Sequence, residues 1–385
     1  NTSSYYITIK QMQLEGEGTE QSPFLIASVD DFKKFMQTPV AAVFKQTVDL
    51  DLTGVMGTAG SLISSFSGTY DGDGHKISNL SLSSNSNAAL FGNLTGTVRN
   101  VTMDQTCSFS GTERVASVAV FLSENGKIEG CKNYATITCT PATIDESTNM
   151  YVGGIVAETT QNGTAQINHL KDCENHGTLT IAGDIANSGR VGGIAGSING
   201  CFVQNCQNYV DITSGKSSEG YYGSTGNIAG GIAGQAAGNN TLVGCGNSGN
   251  ISAGGYVGGI VGLAKNTRNS SLLIESCFNT GEISAYNISC DQNAGGIAGS
   301  AFGDIRNCYN TGKISGSTTG GNANRASILG YANVETGSNG VDIYHCYAIE
   351  ADGVSIGGQD DSITVSNNTT LMTAEQMKSQ DFVDT

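Results

Sequence analysis

Eleven cysteines, four histidines and thirty-four acidic residues are the side chains of this 385-residue chain best suited to chemistry, and the cysteines have the most telling spacing. Seven of them, Cys131, Cys173, Cys206, Cys245, Cys277, Cys308 and Cys346, follow one another at intervals of 42, 33, 39, 32, 31 and 38 residues. Each stands three positions after Ile, Leu or Val, and the first six are followed two positions later by Asn133, Asn175, Asn208, Asn247, Asn279 and Asn310. The seventh repeat degenerates to Ala348. A fixed motif with a variable gap marks a repeated structural unit with loops of differing length. Side chains at one repeat position lie a rung apart, with Cβ atoms ~4.8 Å from each other, beyond the ~3.8 Å of a disulfide. The column therefore reads as buried small hydrophobes. No Cys-x-x-Cys pair offers zinc its usual spacing. Cys107, Cys139, Cys201 and Cys290 lie outside the column, and the sequence leaves their pairing open.

The remaining candidates are thinner. Asp71-Gly72-Asp73-Gly74-His75 starts like a calcium loop, but no Glu closes it, so a tight turn is the better reading. Asp49 and Asp51 could form a carboxylate pair for glycoside chemistry. They alternate with Val48, Leu50 and Leu52, however, which makes them the solvated face of a strand whose apolar residues point inward. His75, His169, His176 and His345 are scattered over different repeats, without a consistent carboxylate or cysteine partner in sequence. We expect no catalytic residue, no metal and no cofactor. With 18 Lys and Arg, a net charge of −16 argues against nucleic acid, anionic lipid and acidic polysaccharide as partners.

Between the cysteine blocks stand Gly153-Gly154-Ile155, Gly192-Gly193-Ile194, Gly230-Gly231-Ile232, Gly258-Gly259-Ile260 and Gly295-Gly296-Ile297. The rest of each unit is a set of β-type patches of about five residues separated by Gly, Asn and Ser. One such coil cannot bury its inward side chains alone, so neighbours must stack. The expected fold is all-β, a right-handed parallel β-helix of about ten coils and about 45–50 Å in length. Strict alternation would put Ile128 and Cys131 on opposite faces, so a bend is expected between them. The repeated Asn is expected at a tight corner, where it tolerates left-handed backbone and can hydrogen-bond from coil to coil. Ser28 and Asp31 suggest the start of a short helix carrying Phe32, Phe35 and Met36 over the open end, and Thr373 with Gln376 suggests a second cap. The expected organisation is one continuous solenoid: an N-terminal cap and first coils over 1–105, the repeats over 106–350 and a C-terminal cap over 351–385.

The Gly18-Thr19…Pro23-Phe24-Leu25-Ile26 entry, the Asp49-Leu50-Asp51-Leu52 strand, the Gly68–Leu80 turn, the Gly-Gly-Ile blocks and the closing Leu371–Lys378 resemble the bacterial GLUG-repeat family over nearly the whole chain. That resemblance implies a protein on or outside a bacterial cell of the Bacteroidetes type, of adhesin character. The same repeat also sits beside the catalytic domain of immunoglobulin A peptidases. The expected function is a non-enzymatic scaffold binding a host or microbial surface glycan or protein. It would act as a monomer, extracellular or on the outer membrane, with any lipid anchor upstream. The alternatives are a passive stalk displaying another domain and a polysaccharide-active β-helix enzyme. No apolar run approaches the ~20 residues of a membrane span. The repeat-to-repeat insertions over 139–150, 183–190, 214–227 and 286–293 should line one side. Within them Tyr221 and Tyr222 form an adjacent aromatic pair that no core demands; the pair either shields a coil edge or, if this side binds a ligand, supplies the ligand contacts.

Overall fold

The computed structural model describes residues 14–37, 39–57, 60–141, 149–161, 165–182, 189–214, 227–265, 270–286, 292–316, 323–333, 340–349, 354–360 and 364–378. Over these residues the chain is a parallel β-helix. Its strands pair in parallel register into a long sheet of twenty-one strands and sheets of eight, seven and ten. The ten-stranded sheet, running from Ser61–Phe66 to Ile356–Gln359, gives the number of rungs.

One coil shows why the repeat has its composition. Lys127–Glu129 runs in the long sheet with Ile128 inward, and Gly130 then takes a left-handed φ of 61°. That single residue turns the chain so that Cys131 also points into the core, where it is fully buried. Its counterparts are Asp172, Asn205, Gly244, Ser276, Asn307 and His345, all at positive φ and all directly before the column cysteine. Small or hydrogen-bonding residues dominate because they pay least for this conformation. The expected bend therefore exists, but the ladder asparagines are not the left-handed residues: Asn133, Asn175 and their equivalents lie in short strands. The turn is made three positions earlier, so the asparagine backbone is free to stay extended in the ladder.

After the asparagine strand the coil passes a corner, enters the eight-stranded sheet at Thr136–Cys139, and reaches the seven-stranded sheet at Met150–Gly153. The Gly-Gly-Ile block then turns the chain into the ten-stranded sheet at Val156–Thr159. Consecutive coils are in register: Ile128 sits on Leu170, Leu170 on Val203, Leu242 on Ile274 and Ile274 on Ile305. Like residues thus meet like residues along the whole core, which removes their apolar surface from water in a continuous column.

At the N-terminal end the helix Val29–Gln37 lays Phe32 and Phe35 on the first coils. Ser28 Oγ accepts from the Asp31 amide at 3.1 Å and donates to its carboxylate at 2.8 Å, which starts the helix. Phe35 lies 4.5 Å from Phe44 and 5.2 Å from Tyr70, ring centre to ring centre. At the other end Thr373 and Gln376 bond reciprocally around the 3-10 turn Gln376–Lys378. Val48, expected inward, is 37% exposed. The strand ends at Gln46, whose buried amide accepts from Tyr70 Oη at 3.0 Å and donates to the carbonyls of Val48 and Lys76. Alternation therefore does not carry across 47–49.

Candidate functional site

The cysteine column lies in the core. Cys131, Cys173, Cys206, Cys245, Cys277, Cys308 and Cys346 are buried free thiols, as are Cys107, Cys139 and Cys201. Their sulfurs donate to carbonyls, for example Cys173 Sγ to Lys171 O at 3.3 Å and Cys308 Sγ to Arg306 O at 3.1 Å. Burial pushes the Cys107 thiol up to about 11 and the Cys139 thiol to about 12, away from the thiolate that reactivity requires. Cys290 lies outside the described residues.

Beside that column runs an asparagine ladder. Nδ2 of Asn133 donates to Oδ1 of Asn175 at 2.8 Å, and the pattern continues through Asn208, Asn247 and Asn279 to Asn310 at 2.7–3.0 Å. The other amide hydrogens turn the corner, as in Asn247 to Gly249 O and Asn279 to Gly281 O. The ladder is bounded by apolar rungs, Met103 before Asn133 and Ala348 after Asn310.

The acidic candidates are all engaged. Asp71 accepts from Arg99 Nε at 2.8 Å, from Asn100 Nδ2 at 3.1 Å and from the Asp73 amide at 2.9 Å. Burial pulls its pKa up, but the Arg99, Asp73 and Asn100 donors outweigh burial and leave the carboxyl below its ordinary value. Asp73 pairs with Lys45 at 2.9 Å. The turn is a bend two residues longer than its counterpart at Asn100, since Asp71 stacks on Arg99 and Lys76 on Thr102. Asp49 accepts from the Lys76 amide and meets His75 Nδ1 at 3.2 Å, while Asp51 accepts from Thr53. These two carboxylates therefore serve different partners instead of facing a common substrate. Among the described residues no group of three or more His, Cys, Asp or Glu side chains is placed to hold a metal ion.

The insertion intervals 142–148, 183–188, 215–226, 287–291 and 317–322 each join an eight-stranded-sheet strand to a seven-stranded-sheet strand, so their anchors recur at one corner. Tyr221 and Tyr222 fall outside the described residues. At the anchored side of that corner the Arg114 guanidinium lies 5.1 Å from the Phe121 ring centre and 4.9 Å from that of Tyr151, and Arg190 lies 5.1 Å from Tyr151. Arg114 Nε also donates to Glu158 at 2.7 Å, and Arg190 to Gln235 and Asn149.

The most distinctive outward feature was not anticipated from the sequence. Tyr134, His176 and Tyr209 stack ring on ring, with centres 4.7 and 4.5 Å apart and planes within 7° and 11°. His176 Nε2 also contacts Glu174 Oε2 at 2.8 Å, and Lys132 Nζ meets Glu174 at 3.0 Å, so this histidine does have a carboxylate partner. A neighbouring pair, Phe278 and Tyr309, stacks at 5.4 Å. The signal was available: each member of the first stack is the residue directly after a ladder asparagine.

The motif described as the GLUG motif matches residues 291–315, which include Gly295-Gly296-Ile297, Cys308 and Asn310. Residues 291–315 of the chain thus carry a GLUG motif. It is 31% identical over 166 residues to halomucin of Haloquadratum walsbyi, a match that covers 38% of this chain and 2% of halomucin. A solved structure of a candidate immunoglobulin A1 protease from Bacteroides ovatus superposes with a TM-score of 0.53 at 22% identity, over 69% of this chain and 77% of that one. That likeness concerns the fold. No helix among the described residues of the GLUG-motif chain is long and apolar enough to cross a membrane.

Proposed function

We propose that this chain is a non-enzymatic, extracellular or cell-surface solenoid that acts as an adhesin-like scaffold. The observation that carries the reading is the outward Tyr134–His176–Tyr209 stack, in which Tyr134 is 39% and Tyr209 47% exposed. Inward aromatics stabilise a core, but rings held in order on the outer face offer a preformed contact surface. The carboxylates of Asp49, Asp51, Asp71 and Glu174, each occupied by partners of its own chain, support a binding role over a catalytic one. The partner is a glycan or protein of a host or microbial surface, bound by the monomer.

The test is an array of glycans and host-matrix proteins probed with the chain and with a Tyr221→Ala/Tyr222→Ala variant. Specific binding by the chain supports the scaffold reading, and its loss in the variant assigns the contact to the loop-bearing corner. No binding anywhere on the array overturns the reading in favour of a passive stalk. Cleavage of an arrayed polysaccharide overturns the non-enzymatic part.

A further inference from the structure

The aromatic stack ends abruptly, and its end has the shape of a site. The residues that follow each ladder asparagine form one outward column, joined rung to rung by backbone hydrogen bonds: His176 N to Asn133 O, Tyr209 N to Asn175 O, Ser248 N to Asn208 O and Thr280 N to Asn247 O, all 2.8–3.0 Å. Ring centres in the stack are 4.5–4.7 Å apart, close to the ~4.8 Å rung spacing. Each ring therefore fills one rung. At the rung after Tyr209 the column holds Ser248, an exposed residue with no ring. One face of Tyr209 is covered by His176, and the opposite face looks along the column over Ser248.

The adjacent outward column sharpens this. Gln207, Gly246 and Phe278 occupy its matching rungs. A Cβ on Gly246 would stand 2.2 Å from Phe278 Cζ and 2.3 Å from Gln207 Oε1, so these side chains close over the glycine. The Ser248 rung is thus a step one ring thick. Tyr209 forms one wall, the Phe278 ring of the following rung reaches back over Gly246 beside the step, and the hydroxyl of Thr280 is on that same following rung.

We propose that this step binds a pyranose ring of a neutral glycan, stacked on the free face of Tyr209 as the next member of the column. This rests on the scaffold reading above and names its ligand class. An apolar sugar face fits a ring wall, and hydroxyls at the rim find Ser248 and Thr280 as partners. Thr280 Oγ1 donates to Asn247 O at 3.3 Å, which leaves its oxygen to accept from a sugar hydroxyl. A net charge of −16 selects against acidic sugars.

The experiment is affinity electrophoresis of the full chain in gels carrying a β-glucan, an α-mannan, a β-galactan or polygalacturonate. It uses Tyr209→Ala and Ser248→Tyr variants, with Tyr344→Ala as a control. The chain should be retarded by at least one neutral polysaccharide and not by polygalacturonate. Tyr209→Ala should weaken that retardation about tenfold, the equivalent of one ring stack. Ser248→Tyr fills the step with the protein's own ring, so it should abolish retardation while its melting temperature holds or rises. Tyr344→Ala should behave as the parent. Neutral-gel retardation that survives both variants overturns the site while leaving the scaffold reading intact. Retardation by polygalacturonate alone, or binding only to a matrix protein through Tyr209, overturns the neutral sugar. Silence in every gel together with silence on the protein array sinks both.

Discussion

The amide carbon of Asn208 lies 2.5 Å from the point where a Cβ on Gly193 would stand. The same closeness holds for Gly154 with Asn175 at 2.7 Å, Gly231 with Asn247 and Gly259 with Asn279 at 2.5 Å, and Gly296 with Asn310 at 2.4 Å. The two most regular motifs of the chain are therefore two sides of one contact. The second glycine of each Gly-Gly block lets the amide ladder pass, and the ladder requires that glycine to have no side chain. Gly193 is also confined from the next coil, whose Gly231 carbonyl oxygen would be 2.2 Å from the added Cβ.

Gly193→Ala should accordingly destabilise the solenoid although alanine is the smallest possible addition. Neither neighbour is the far end of a flexible side chain, since one is backbone and the other an amide held at both ends. Overpacking of this kind costs about 1–3 kcal/mol. Urea unfolding followed by circular dichroism measures it, and an unchanged midpoint would show that the coils can spread apart at this corner.

The ladder predicts an order of sensitivities. Asn208→Ala leaves the Nδ2 of Asn175 and the Oδ1 of Asn247 without their partners in a buried site, a loss of about 2–3 kcal/mol. Asn310→Ala removes one ladder bond and two corner bonds, with the Gly312 carbonyl and amide, whereas Asn208→Ala removes two ladder bonds and one corner bond, to the Val210 carbonyl, so the two differ in how far they cut the ladder and not in the number of bonds lost. The central substitution should lower the unfolding midpoint more than the terminal one. Equal effects would mean that the amides act separately and not as a connected chain.

What could be read beforehand follows from how a solenoid stores information. The Ile, Cys and Asn columns were legible because each coil repeats the same residue in the same place, so period alone identifies them. The turn at Gly130 was legible as a necessity, since Ile128 and Cys131 could not otherwise share the core. The contact of Gly193 with Asn208 was not, because it depends on how the coil closes on itself and not on either motif. Tyr134, His176 and Tyr209 escaped because they vary from repeat to repeat, and only alignment one residue beyond the asparagine puts them in one column. Val48 was misplaced because alternation was carried through a bend at 47–49, where Gln46 and not Val48 is the inward neighbour of Leu50.

Thiol accessibility gives a direct check on the core. The described cysteines are buried, and burial raises the Cys107 thiol to about 11 and the Cys139 thiol to about 12. At pH 8 the native chain should react rapidly with Ellman's reagent at no more than one of its eleven cysteines, and at all eleven once unfolded in guanidinium. Rapid reaction of several native thiols would contradict the closed column, and fewer than eleven in the unfolded chain would reveal a disulfide.

The pH dependence should be acidic and should trace to Asp71. Burial alone would raise its pKa, but Arg99, the Asp73 amide and Asn100 lower it below the ordinary 3.8. The folded carboxyl is thus the stronger acid, and the unfolded chain binds the proton first. Its contribution is complete above the unfolded value, and it fades as pH falls through 3.8 towards the lower folded value. Asp71→Asn keeps the shape but removes the charge beside Arg99. The variant should melt lower than the parent at pH 7, with the gap narrowing as both are taken below pH ~3. A gap that stays constant with pH would show that the carboxylate charge contributes nothing and that the hydrogen-bond geometry of the turn alone matters.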